Sequence, residues 1–101
     1  MFVMHHYIKG IDDDLLPDWF KKHVRPILKR YKCDCRFESF NHFEHSAVTL
    51  SVKDDIFRVI PFIAKRMSKN GIICEISILI EIEPDVLPGQ NRITKTLLIV
   101  V

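Results

Sequence analysis

The residues of this chain with the clearest capacity for chemistry are two histidines, His42 and His45, with Glu44 between them. Their His-x-x-His spacing offers two imidazole nitrogens to a metal ion or a phosphoester, and Cys35 could add a thiolate. A zinc site needs three or four protein ligands, and no second pair of histidines or cysteines follows at ligand spacing. The two histidines therefore define one candidate function, a small metal-dependent or phosphoester-cleaving enzyme.

The same pair lacks the partners that histidine chemistry usually requires. The 2H phosphoesterases use two His-x-Ser/Thr motifs, whereas His45-Ser46-Ala47 departs from that spacing and has no second copy. The chain also has no glycine-rich phosphate loop, nucleophile elbow or Walker motif. We therefore predict that the protein is not an enzyme, that it uses no metal or cofactor, and that both histidines lie in an exposed hairpin loop.

The element that must position everything else is the stretch of residues 71–83. Its apolar residues recur at every second position, which places them on one face of an extended strand. The residues of this face are Ile72, Cys74, Ile76, Ile78, Ile80 and Ile82. The intervening residues are mostly polar, so the pattern predicts a strand with one buried face and one solvated face.

Two amphipathic helices are predicted from apolar residues at spacings of three and four. The first covers residues 16–31, and the second follows Lys53-Asp54-Asp55, whose carboxylates are candidate N-caps. Each helix contains a proline, Pro26 or Pro61, and Pro26 is expected to kink or split the first helix. Asn70-Gly71 is typical of the end of a helix, because glycine tolerates the left-handed conformation there.

Further strands are predicted at residues 2–9, 33–40, 47–52 and 94–101. The order βαββαβ, followed by an extra C-terminal strand, resembles the ferredoxin-like sandwich, in which both helices lie on one face of an antiparallel sheet. Right-handed crossovers would place the first and third strands in the middle. A chain of 101 residues is expected to form this single α+β domain. The resemblance concerns architecture alone and says little about function.

The composition is that of an ordinary globular protein. The net charge of +2 is too small to indicate a nucleic-acid or membrane partner by bulk electrostatics. No segment is apolar over the length of a membrane span, and the first residues lack the pattern of a signal peptide. The three cysteines are interpreted as reduced thiols of the core, which favours a cytoplasmic location.

The main functional prediction is a protein-binding module that acts as a homodimer, a small regulator or inhibitor of the immunity, antitoxin or counter-defence type. Residues 97–101 are apolar at successive positions, so both faces of that strand are apolar. A core covered by helices on one face of the sheet can bury only one of them. Candidate partner-binding residues are Tyr7, Ile73, Leu79, Leu97 and Ile99. The open alternative is that residues 92–101 fold back on their own sheet and bury both faces there.

Binding of RNA or single-stranded DNA is a second functional hypothesis. RRM-type domains stack bases on aromatic residues of the central strands, but Ala47, Thr49 and Ser51 are too small for that role. Basic side chains lie on the predicted helical faces instead, so binding is expected there and with little base selectivity. The candidate residues on the first helix are Lys21, Lys22, Arg25 and Lys29.

Overall fold

The computed structural model describes residues 16–41, 45–84 and 89–101 of the chain. These residues form two layers, one of helices and one of four antiparallel strands. The mixed α+β architecture predicted from the sequence is confirmed for this part of the chain. The strand predicted at residues 2–9 lies outside the described residues.

The helical layer consists of two amphipathic segments. A π-helical turn, Phe20–Val24, continues directly into helix α1, Arg25–Arg30. Helix α2, Ile56–Lys69, continues without interruption through Pro61. The predicted apolar stripes are confirmed, because they supply the buried residues of this layer: Leu16, Phe20, Val24, Ile27, Leu28, Ile56, Val59, Ile63 and Met67.

Pro26 accounts for the change from π-helix to α-helix. A continuous α-helix would need an N–H at residue 26 to bond to the carbonyl of Lys22, and proline has none. The turn widens instead, so that the N–H of Arg25 donates to the carbonyl of Phe20, and Pro26 falls in the first turn of α1, where proline is tolerated. The Lys22 carbonyl accepts a hydrogen bond from Arg66 Nη2 of α2 at 3.1 Å. Pro26 thus alters the first helix near the predicted place, but the predicted split is not found, because the π-helical turn continues directly into α1.

The sheet contains four strands in the order β1-β2-β4-β3, and every neighbouring pair is antiparallel. Their bounds are Cys35–Asn41 for β1, Ala47–Val52 for β2, Glu75–Pro84 for β3 and Asn91–Val100 for β4. The prediction for β2 matches its bounds, and the other predicted strands are displaced by a few residues at their ends. Period-two patterns therefore identified β1, β2 and β3, and a run of successive apolar residues identified β4.

The C-terminal strand β4 lies in the middle of this sheet. Leu97 of β4 is opposite Leu50 of β2 on one side and opposite Ile78 of β3 on the other. In the ferredoxin-like order the first strand would lie between these two neighbours, so that part of the topology prediction is wrong. The residues of β4 that face the helices, Leu97 and Ile99, are buried, whereas Leu98 and Val100 on the other face are half-buried. The alternative in which residues 92–101 fold back on their own sheet is therefore confirmed for the strand pairing but not for the burial of both faces.

The two aspartates before α2 connect elements instead of capping the helix. The carboxylate of Asp55 makes no cap bond to the first turn, and its Oδ2 accepts a hydrogen bond from the backbone N–H of Asp34 at 2.9 Å. The carboxylate of Asp54 lies 2.8 Å from Lys95 Nζ of β4. The prediction that these side chains act as N-caps is therefore wrong, because each carboxylate is held by a residue at the start of β1 or in β4.

Both helices end in the same motif. In α1 the N–H of Cys33 donates to the carbonyl of Leu28, and in α2 the N–H of Ile72 donates to the carbonyl of Met67. These six-residue closures are Schellman motifs, which need a residue with positive φ just past the helix. Gly71 fills that position after α2 with φ +71°, as predicted. Lys32 fills it after α1 with φ +52°.

Lys32→Gly is expected to raise the free energy of unfolding by about 1 kcal/mol, because a side chain with a Cβ is strained in the left-handed region. Denaturant unfolding monitored by circular dichroism would measure the change. Gly71→Ala is the matched control and is expected to lower the free energy of unfolding. A Cβ at residue 71 meets no atom within 4 Å, so the expected loss of stability comes from backbone strain alone. A Lys32→Gly protein no more stable than the original would contradict the strained cap.

Candidate functional site

Strand β3 lies at the edge of the described sheet, and the helical layer does not cover its isoleucine face. Ile76 and Ile78 are partly buried against the core, whereas Ile80 is 50% exposed and Ile82 is 65% exposed. The buried strand residues all come from β1, β2 and β4. The prediction that this strand has one buried face is thus corrected for its second half, because Ile80 and Ile82 lie beyond the part of β3 that packs against the core.

The outer part of the β3–β4 hairpin extends past the rest of the sheet. The last pair between β2 and β4 is Val52 with Lys95, whereas β3 and β4 continue to pair as far as Pro84 with Asn91. On this two-stranded extension Ile93 lies opposite Ile82 and is 55% exposed. A hairpin without a second layer is only marginally stable in water. We call the three residues Ile80, Ile82 and Ile93 the hairpin patch.

A shallow groove of about 390 Å³ continues the same apolar face toward the start of β3. One wall is formed by the small side chains of Ala64 and Ser68 in α2, and Ile73, at the rim, is 92% exposed. The other lining residues are Gly71, Ile72, Cys74 and Ile76. Apolar surface therefore extends along the whole of β3. Contiguous apolar surface on an edge strand is typical of an interaction site.

The structure separates the five predicted partner-binding residues. Ile73 and Leu79 are exposed, but Leu79 lies on the face of β3 opposite to the isoleucines. Leu97 and Ile99 are fully buried, because β4 has a strand on each side and the helices above it. Their assignment to a partner surface is therefore wrong. Tyr7 lies outside the described residues.

A second depression, which we call the helical groove, lies between α1 and α2 and has a volume of about 450 Å³. The rings of Tyr31 and Phe62 stack in it with their centroids 4.9 Å apart and their planes within 2°. The guanidinium of Arg30 lies 5.8 Å from the centre of the Tyr31 ring. The remaining lining residues are Ile27, Lys65, Arg66, Lys69 and Asn70. Four cations thus surround one aromatic pair.

The four basic residues predicted for nucleic-acid binding lie on the π-helical turn and α1. Lys21 Nζ is 3.7 Å from the carboxylate of Asp18, and the side chains of Lys22 and Lys29 are exposed. None of these residues, nor Arg25, lines the helical groove. The structure therefore places the predicted residues in the same layer as the groove but outside it.

The described part of the chain contains no cluster of metal ligands that would support a metal site at the two histidines. His45 is exposed, and His42 lies outside the described residues. Within residues 16–41, 45–84 and 89–101, no three His, Cys, Asp or Glu side chains are grouped closely enough to hold a metal ion.

Cys33 and Cys35 are not disulfide-bonded and both are buried, as the sequence predicted for core cysteines. Burial and, to a smaller extent, the Asp55 carboxylate raise the pKa of Cys33 to about 11, and the guanidinium of Arg58 opposes this shift. Such a thiol is protonated at neutral pH, and the protonated form is a poor nucleophile and metal ligand. Cys33 therefore has the properties of a core residue.

Comparison of the chain with protein-family models, curated proteins and solved structures gave no match. Over the described residues, neither helix has the length and apolar character needed to cross a membrane.

Proposed function

We propose that this protein is a non-enzymatic protein-binding module of the cytoplasm, a small regulator or inhibitor that acts as a homodimer. The observation that carries the proposal is the uncovered isoleucine face of edge strand β3. Full burial of an exposed isoleucine contributes about 1.5–3 kcal/mol. Because Ile80 and Ile82 are 50% and 65% exposed, burial of the remaining surface of each would contribute about 1–2 kcal/mol. Buried free thiols, such as that of Cys33, support the cytoplasmic location.

A second copy of this chain is the partner that fits β3 best. An edge strand presents unpaired backbone groups, and an antiparallel copy related by a two-fold axis satisfies them with the same surface on both sides. In the sequence-based prediction β4 formed the dimer contact. That role is not available to β4, because β2 and β3 already occupy its two sides. The pairing is therefore proposed between the two copies of β3.

The charges on β3 disfavour several registers for this pairing. Two antiparallel copies centred on Leu79 would set Glu75 opposite Glu83, and like charges directly opposite each other destabilise a sheet. A register centred on Glu81 would set that residue opposite its own copy. Centring on Ile80 avoids both pairs and sets Ile78 opposite Ile82. In that register the hairpin patches of the two copies meet at the axis.

Ile80→Asp is expected to convert the dimer to a monomer, because it buries two carboxylates at the two-fold axis. Size-exclusion chromatography with light scattering would give the mass over a range of protein concentrations. Ile80 is half exposed in the single chain. The substitution therefore leaves the monomer folded, which circular dichroism would verify.

Phe57→Asp is the matched control. Phe57 is 47% exposed, close to the 50% of Ile80, but lies in the first turn of α2 and not on β3. The control is expected to keep the mass of the dimer. A monomer mass for the unaltered chain at every concentration, or a dimer that survives Ile80→Asp, would contradict the proposal.

A further inference from the structure

From the helical groove we infer a second binding site that does not depend on the proposed dimer. We propose that the groove binds single-stranded nucleic acid, with its cations on the phosphates and the Tyr31–Phe62 pair against a base. Grooves that combine positive charge with aromatic side chains bind single strands in this way, because every base offers a face for stacking.

The charge of the protein is divided between its two layers. Residues 16–32 and 56–70 contain ten of the fifteen Lys and Arg residues and a single acidic residue, Asp18. Glu75, Glu81 and Glu83 lie on β3, at the opposite edge of the described sheet from β1. The net charge of +2 therefore conceals a strongly positive helical layer. A local field of this sign attracts phosphates although the whole protein is nearly neutral.

Arg66 fixes the shape of the groove. Its Nη2 donates to the carbonyl of Lys22, and its Nε donates to His23 Nδ1 at 3.3 Å. These bonds join α2 to the π-helical turn, and Pro26 leaves the Lys22 carbonyl without its α-helical partner. Arg66 is thus a positioning residue as well as a cation of the groove wall. Lys65 and Lys69 are exposed on the same wall and suit direct contact with phosphates.

The aromatic pair favours nucleic acid over an acidic protein segment as the ligand. Stacking with Tyr31 covers one face of the Phe62 ring, yet Phe62 remains 43% exposed. A carboxylate would not be stabilised by contact with the exposed ring of Phe62, whereas an unpaired base can extend the stack of Arg30, Tyr31 and Phe62. Bases within a duplex are not available for such contact, so the ligand is a single strand.

The test is fluorescence anisotropy with labelled twelve-nucleotide oligo-dT and oligo-rU, with duplex DNA and a polyglutamate peptide as competitors. Lys65→Ala/Lys69→Ala is expected to weaken binding about tenfold or more and to reduce the dependence of affinity on salt. Phe62→Ala is expected to weaken it about tenfold, because a stacking contact is lost. Arg66 is left unchanged, since its loss would also disturb the helices.

The matched control is Lys53→Ala/Arg92→Ala, which removes the same charge from exposed positions outside the groove. Binding by this variant is expected to change less than twofold. Three outcomes would overturn the inference: no oligonucleotide binds at about 50 mM salt, the control loses as much affinity as the groove variant, or polyglutamate competes fully while Phe62→Ala has no effect. The last outcome would identify an acidic protein as the ligand.

Discussion

Leu97→Ala is expected to lower the free energy of unfolding by about 3 kcal/mol, within the range found for buried leucines elsewhere. Leu97 is fully buried and lies between Leu50 and Ile78 on the face of the sheet that packs against both helices. Its truncation removes contacts to two strands and to the helical layer and leaves a cavity that these elements cannot fill. Denaturant unfolding at one fixed protein concentration would measure the loss.

Leu79→Ala is the control, because it makes the same chemical change on the neighbouring strand. Leu79 is 57% exposed, so its expected cost is below about 1 kcal/mol. Equal losses for the two variants would contradict the central position of β4. The comparison separates an internal strand of the core from an exposed strand at the edge of the described sheet.

Cys33 is expected to react with iodoacetamide at least a hundredfold more slowly than an unhindered thiol at pH 8. Its pKa is raised to about 11, so about 0.1% of Cys33 is present as the reactive thiolate at that pH. At any pH below about 11, the raised pKa lowers the fraction of Cys33 that is present as thiolate. The rate of alkylation is therefore expected to increase about tenfold per pH unit up to about pH 11. Mass spectrometry of peptides from timed reactions would give the rate.

Cys74 provides the internal comparison. It is only half buried, at the groove beside β3, and its pKa is raised by burial alone. Cys74 is therefore expected to be alkylated first in the native protein, and all three cysteines should react at similar rates in denaturant. A native Cys33 that reacts as fast as Cys74 would show that residue 33 is not in the core.

Much of the local structure could be predicted from sequence because it depends on neighbours along the chain. The alternation in Ala47–Val52 and the helical stripe from Ile56 to Met67 identified β2 and α2, and Asn70-Gly71 identified the end of α2. The position of Pro26 indicated that the first helix would be kinked or split there. The sequence could not indicate that the Lys22 carbonyl would accept a hydrogen bond from Arg66, since that contact joins residues far apart in sequence.

The arrangement of strands was less accessible. Residues 97–100 indicated a strand with two apolar faces, and both an internal strand and a dimer contact satisfy that pattern. Position within a sheet depends on which strands compete for the same neighbour, and alternation carries no information on this competition. For the same reason Ile80 and Ile82 were assigned to a buried face. Their spacing matches that of Ile76, but the helical layer ends before it reaches them.

The helical groove was missed because its residues come from two segments. Lys29-Arg30 and Lys65-Arg66 were noticeable as similar dipeptides after each proline. Only the fold brings Arg30, Lys65 and Lys69 around one aromatic pair. The sequence-based prediction considered the first helix alone and selected its basic residues Lys21, Lys22, Arg25 and Lys29 instead.

The position of β3 at the edge of the described sheet has a consequence for valency. A two-fold axis perpendicular to the sheet keeps the same face upward in both copies, so the described strands of the proposed dimer would form one continuous sheet with both helical layers on one side. A flexible polyanion long enough to reach from one copy to the other would then engage a bivalent receptor. Its second contact would be intramolecular, and the resulting avidity can exceed single-site affinity by about 10²–10⁴ without any new interaction.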